Sequence, residues 1–179
     1  MLGKKNKNYS SKKTSPMIEV VDQYNRPFGV LSLDLAHKLN LYHRRVIILV
    51  YNQENKLFLL RRSLKKKRYP GLWELSASSH VLYRESREDT VQRILKDVFR
   101  VGSMRLSLLN EYHPTLTGKY EFISIFRVHL LQDHIHLNPK EAQSGEFVEH
   151  HELKYILSSF PELLTPDLKC LEHLKYLNP

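Results

Sequence analysis

The segment from Ser79 to Val101 constrains the fold more than any other part of this chain. Ser86 is followed three residues later by Asp89, a variant of the reciprocal cap that starts a helix, and Arg87, Glu88 and Asp89 fill the first turn. Val91, Ile94, Leu95 and Val98 then recur at i, i+3, i+4 and i+7, the period of an amphipathic helix. Gln92, Arg93, Lys96, Asp97 and Arg100 fall mainly on the other flank. The pattern predicts a helix from Ser86 to Phe99 whose apolar stripe packs on a core, whether or not its polar flank does chemistry.

Around this helix the chain reads as short strands. Ile18 to Val21 and Phe28 to Leu31 flank a turn at Tyr24-Asn25-Arg26-Pro27. Arg45 to Tyr51 and Lys56 to Leu60 form a hairpin across Asn52-Gln53-Glu54-Asn55. A strand is expected from Trp73 to Ala77 after the Pro70-Gly71 break, with others near 105–111, 120–131 and 146–148. A helical region begins at Glu152, and Thr165-Pro166 offers an N-cap and first-turn proline to a last helix bearing Leu168, Leu171 and Leu174. The expected class is α/β, a mixed sheet held between helices.

At 179 residues the chain suits one domain. Its longest apolar run, Val46 to Tyr51, is far too short to span a bilayer, and none follows the basic N-terminus, so neither a membrane span nor a secretory signal is expected. The single Cys170 excludes an internal disulfide, which fits a cytoplasmic location. Five lysines of a chain with net charge +9 lie in the first sixteen residues, which hold no acid. Residues 1–16 therefore read as a basic disordered arm, and 17–179 as the folded domain. The arm lacks the aromatic interleaving that stacks bases, so nucleic acid is not the expected partner.

The 79–101 segment resembles the signature of the Nudix superfamily: a glycine, five residues, Glu, seven residues, then Arg-Glu-apolar-x-Glu-Glu-x-Gly-apolar. Glu85, Arg93, Leu95 and Val101 fall in register, while the three glutamate positions that hold Mg²⁺ read Ile94, Asp97 and Val98. Further patches are similar to the isopentenyl-diphosphate isomerase-like branch: Ala36-His37 with Leu41-Tyr42-His43-Arg44, the run Arg61-Arg62-Ser63-Leu64-Lys65-Lys66-Lys67-Arg68-Tyr69-Pro70-Gly71-Leu72-Trp73, and His80 with Glu85-Ser86. The resemblance implies a Nudix-type α/β/α sandwich. It implies that Arg62 and Lys66 hold a diphosphate, chemistry that suits a guanidinium and an ammonium. It also implies that His37, His43, His80 and Glu121 bind Zn²⁺, Mn²⁺ or a similar ion. A second metal-binding carboxylate of that branch reads Lys119, the proton-transferring cysteine reads Ser78, and the tryptophan that faces a carbocation is replaced near Asp167.

Three functions follow from this reading. The first is a diphosphate-binding domain with weak or absent hydrolase activity, whose partner is a diphosphate-containing small molecule. The second is metal-dependent hydrolysis of a nucleoside or other diphosphate with Mg²⁺ or Mn²⁺, for which Glu121, Asp97 and Glu85 are the candidate catalytic carboxylates. The third, isomerisation of an isoprenoid diphosphate, is disfavoured because a serine is a far weaker acid than a thiol. One pocket is expected between Arg62, Lys66, His80, the 85–98 helix and Glu121.

Overall fold

The run Val46 to Tyr51 becomes the middle of a mixed sheet, because each of its residues finds an apolar layer on its own side. In the computed structural model, which describes residues 14–114, 120–130 and 135–170, the chain forms strands β1 (Met17–Val21) and β2 (Pro27–Ser32), helix α1 (Leu33–Lys38), and strands β3 (His43–Tyr51), β4 (Leu57–Arg62), β5 (Trp73–Leu75) and β6 (Ala77–His80). Helix α2 (Arg87–Ile94) continues into a π-helical stretch, Leu95–Phe99. Strands β7 (Leu106–Tyr112), β8 (Glu121–His129) and β9 (Ala142–Val148) follow, then helices α3 (His150–Ser159) and α4 (Pro166–Cys170).

Strand β3 pairs in parallel with β8 from His43↔Glu121 to Tyr51↔His129, and antiparallel with β6 from Arg45↔His80 to Ile48↔Ala77. Its even residues Val46, Ile48 and Val50 pack with Val91, Ile94, Leu95 and Phe99 on one face. Its odd residues Ile47, Leu49 and Tyr51 pack with Leu153, Leu157, Leu164 and Leu168 on the other. The two-residue alternation of a strand thus builds both layers of an α/β/α sandwich, each buried aliphatic side chain contributing about 2 kcal/mol. No helix among the described residues is long and apolar enough to cross a membrane.

Two expectations need correction. The β3–β4 hairpin pairs at Tyr51↔Leu57 and then opens, and the strand expected over 73–77 is two strands. Buried Ser76 explains both. Its hydroxyl accepts from the Val50 amide at 2.8 Å and donates to the Phe58 carbonyl at 2.7 Å, standing where the next β3–β4 pair would form. Beyond it β5 pairs with β4 and β6 with β3.

At the chain ends, Pro16 accepts from the Leu33 amide at 2.8 Å and Ser15 from the Asp34 amide at 3.0 Å. Ser15 and Pro16 are thus tied to the start of α1, and residues 1–13 lie outside those described. Thr165 caps α4 through its backbone carbonyl, while its buried hydroxyl has no hydrogen-bond partner. Leu171, Leu174 and Lys119 also lie outside the described residues.

Candidate metal centre and anion site

The start of helix α2 is fixed as its sequence requires. Ser86 Oγ accepts from the Asp89 amide at 2.9 Å, and Asp89 Oδ2 accepts from the Ser86 amide at 3.0 Å. Before the cap, Glu85 meets Arg93 through two bonds: Nε to Oε1 at 2.7 Å and Nη2 to Oε2 at 2.9 Å. Arg93 also donates to the His80 carbonyl at 3.0 Å and to Ser79 Oγ at 3.2 Å, and Glu85 accepts from the Leu82 amide and the Thr90 hydroxyl. Burial pushes the Glu85 carboxyl upward, but these donors outweigh it and hold the group below its ordinary range. Glu85 is thus committed to shaping the turn, and a carboxylate so saturated is poorly placed as a general base.

Of the three positions where the Nudix pattern has metal-binding glutamates, Ile94 and Val98 are buried in the core and Asp97 is exposed. All three border a cavity of about 590 Å³ that also touches Lys66, Lys67 and Ser78. One carboxylate and two alkyl groups do not fit a Mg²⁺ ion, which needs several oxygen ligands.

A second cluster lies at the ends of other elements. Helix α1 supplies His37, β3 begins with His43, β6 ends with His80, and β8 begins with Glu121. The registers Arg45↔His80 and His43↔Glu121 bring these groups together, with one ligand atom from each residue within 4.8 Å of the others. Atoms bound to one ion at about 2.1 Å lie at most ~4.2 Å apart, so a small contraction would complete a shell. His43 Nδ1 lies 2.8 Å from the Leu41 carbonyl, which can only accept, so Nδ1 carries a proton and the neutral form of the ring presents its lone pair at Nε2. The Nε2 atoms of His37 and His43 are buried without hydrogen-bond partners. Buried polar atoms are normally satisfied, so two orphaned imidazole nitrogens on members of one cluster fit a metal ion.

The electrostatics agree with that fit. Burial, followed by the fields of His80, His43 and Arg68, lowers the His37 pKa to about 4. Burial also lowers His80, although Glu121 opposes the change. The Glu121 carboxyl is raised by burial, but His43, His80 and Arg45 together hold it far below the usual carboxylate range. Two imidazoles favoured as neutral and one ionised carboxylate are in the protonation states a metal requires.

The two cations expected to hold a diphosphate are already engaged. Arg62 Nη1 donates to Glu74 Oε2 at 2.5 Å, and its Nε donates to the Arg68 carbonyl at 3.1 Å. Lys66 pairs with Glu141. Burial raises the Glu74 carboxyl, with Arg62 acting against it. The expected single pocket is also divided. Glu85 borders one cavity, Asp97 the 590 Å³ cavity, and Glu121 a third of about 270 Å³ with His37, His43, Asn40, Arg68 and Tyr120. The three candidate catalytic carboxylates each border a different one of these cavities.

Sequence reasoning missed Arg45. Its buried guanidinium donates to Glu121 Oε2 at 3.2 Å, Ser78 Oγ at 2.8 Å and Asp167 Oδ2 at 2.5 Å. The signal was strand parity, since Arg45 lies two residues after His43 and shares its face. Glu74 and Glu141, the partners of Arg62 and Lys66, were also missed; Glu141 lies 75 residues from Lys66 and has no local signal.

A family model for the NUDIX domain matches residues 41–168. An isopentenyl-diphosphate Delta-isomerase of Pectobacterium atrosepticum is 26% identical over 160 residues, covering 84% of this chain and 87% of that protein. The enzyme of the same name from Salmonella paratyphi B is 32% identical over 81 residues, 45% of each, so the chain matches about half its length. A crystal structure from Deinococcus radiodurans superposes with a TM-score of 0.76 at 22% identity, over 89% of this chain and 99% of that one. The NUDIX domain of Shewanella oneidensis NrtR superposes with a TM-score of 0.52 at 15% identity, over 74% and 88%. The structural likenesses share the fold, and the match to the family model shows that this chain belongs to the NUDIX family.

Proposed function

We propose that this NUDIX domain binds a divalent transition-metal ion at His37, His43, His80 and Glu121 and holds a diphosphate-bearing small molecule, with hydrolysis slow or absent. The observation that carries the reading is the pair of buried, partnerless Nε2 atoms on His37 and His43, two members of a group whose ligand atoms lie within 4.8 Å of one another and which includes an ionised Glu121. Three imidazoles with one carboxylate suit Zn²⁺ or Mn²⁺. Slow turnover is supported by Ile94 and Val98, whose alkyl groups stand at two of the positions that hold Mg²⁺ in the Nudix pattern. The Shewanella neighbour is complexed with ADP ribose, which supports a diphosphate as the ligand class.

The ion pairs refine which cations take part. The Arg62 and Glu74 side chains are 17% and 15% exposed, those of Lys66 and Glu141 29% and 34%. A pair near the surface is worth about 0–1 kcal/mol, so a phosphate can displace Glu141 from Lys66 at little cost. Breaking the more enclosed pair would strand a carboxylate, so Arg62 serves by holding the 62–68 loop through the Arg68 carbonyl. Lys66 and its cavity neighbour Lys67 are the proposed anion contacts.

Two other readings have less support. Hydrolysis through Glu85, Asp97 and Glu121 would need carboxylates that line three cavities to act on one bond. Isomerisation would place a developing carbocation beside Arg45, a permanent cation bonded to both Ser78 and Glu121.

Calorimetric titration of the full chain with Zn²⁺ and Mn²⁺, then with ADP ribose, tests the proposal, together with chromatographic detection of AMP release. We expect metal uptake, salt-sensitive ADP-ribose binding that is lost on Lys66→Ala with Lys67→Ala, and little AMP even with excess Mg²⁺. Absence of metal uptake, or Mg²⁺-dependent cleavage at an ordinary enzymatic rate of about 10 s⁻¹, would refute it.

A further inference from the structure

Arg45 divides the carboxylate of Glu121 between two environments. Oε2 receives Arg45 Nη1 at 3.2 Å, whereas Oε1 lies 3.3 Å from His80 Nε2 and 3.8 Å from His43 Nε2. The oxygen facing the imidazoles is therefore the one that Arg45 does not hold. The guanidinium is itself fixed, with its side chain 11% exposed and Nη2 shared between Ser78 Oγ at 2.8 Å and Asp167 Oδ2 at 2.5 Å. Asp167 sits in the first turn of α4, whose entry is tied to β5 by the Thr165 amide and the Trp73 carbonyl at 2.8 Å.

We propose that Arg45 is a positioning residue that confines Glu121 to coordination through one oxygen, and so makes the centre selective for Zn²⁺ or Co²⁺ over Mn²⁺. This rests on the metal reading of the His37, His43, His80 and Glu121 cluster. The physical reason is ligand count and type. An ion held by three nitrogens and one oxygen matches the low coordination number and imidazole preference of zinc, whereas manganese favours more oxygen donors. Releasing Oε2 would give Glu121 a second donor atom and move the centre toward the manganese preference. A guanidinium beside a cation is unfavourable by charge alone, and Asp167 offsets that charge while holding the fork in place.

The test compares Zn²⁺ and Mn²⁺ affinities by calorimetric competition, with the visible absorption of bound Co²⁺ as a second readout. Arg45→Met keeps the unbranched apolar stem but removes the fork. The expected result is a fall of about tenfold or more in the ratio of Zn²⁺ to Mn²⁺ affinity, with Co²⁺ absorption weakening toward that of a six-coordinate ion. Asp167→Asn, which leaves Arg45 in place, should move both readouts in the same direction by less, and Arg45→Lys should lie between wild type and Arg45→Met. Should Arg45→Met fail to fold, Asp167→Asn decides the matter. A parallel loss of both ions, or a wild-type ratio in the variants, would make Arg45 a structural strut and overturn its role while leaving the metal reading intact. A wild-type chain that binds neither ion would overturn both.

Discussion

Replacing Ile94 and Val98 together by glutamate tests whether this helix has exchanged chemistry for packing. The two residues are 2% and 8% exposed and belong to the cluster of Val91, Leu95, Phe99 and Val46. Losing a buried isoleucine and a buried valine costs about 2 kcal/mol each, and a carboxylate placed there without a partner costs about 1–3 kcal/mol more. Both positions also border the cavity containing Lys66 and Lys67, so the new carboxylates can turn toward cations and water. The expected net loss is about 4 kcal/mol, a large part of a typical domain's stability of about 5–15 kcal/mol. Urea unfolding with and without Mg²⁺ measures it. If the new carboxylates and Asp97 form an ion site, Mg²⁺ at about 100 times its Kd returns about 2.7 kcal/mol, whereas the parent chain gains nothing. A double variant as stable as the parent in metal-free buffer would refute the argument that these side chains hold the helix to the sheet.

Two further outcomes follow from backbone and titration. Arg100 ends the π-helical stretch at φ 57°, ψ 29°, a left-handed conformation, where the Nudix pattern has glycine. Arg100→Gly should raise stability by about 1 kcal/mol and the melting temperature by about 2–4 °C; an unchanged melt would show that the strain is already offset. His37 has its pKa lowered from 6.5 to about 4, so in metal-free protein the unfolded chain binds its proton first. Its contribution to stability is complete above about pH 6.5, declines as pH falls toward about 4, and His37→Gln should flatten that slope in urea melts taken across the range.

What the sequence reveals here depends on how far apart the interacting residues lie. The Ser86–Asp89 cap, the Val91 to Val98 stripe and the Glu85–Arg93 pair are all local, and each forms as its spacing requires. The histidine cluster was legible only through family resemblance, because two strand registers have to bring His80 and Glu121 to His43. Arg45 and Asp167 stand 122 residues apart, and no periodicity joins them. The same limit applies to charge. The composition of 61–68 identifies six cations suited to an anion but says nothing of Glu74 or Glu141, which neutralise two of them from elsewhere in the fold.

Those acids alter the functional argument more than the cations do. An unpaired arginine or lysine would bind any phosphate that approached, whereas a paired one binds a ligand only if that ligand outcompetes its carboxylate. The Lys66–Glu141 pair is the more exposed of the two and the Arg62–Glu74 pair the more enclosed, which is why the proposed anion contact is Lys66. Arg45 presents the same logic in the interior, where it is bonded to both Glu121 and Asp167. In this domain the arrangement of paired acids, rather than the count of basic residues, decides which charges are already neutralised.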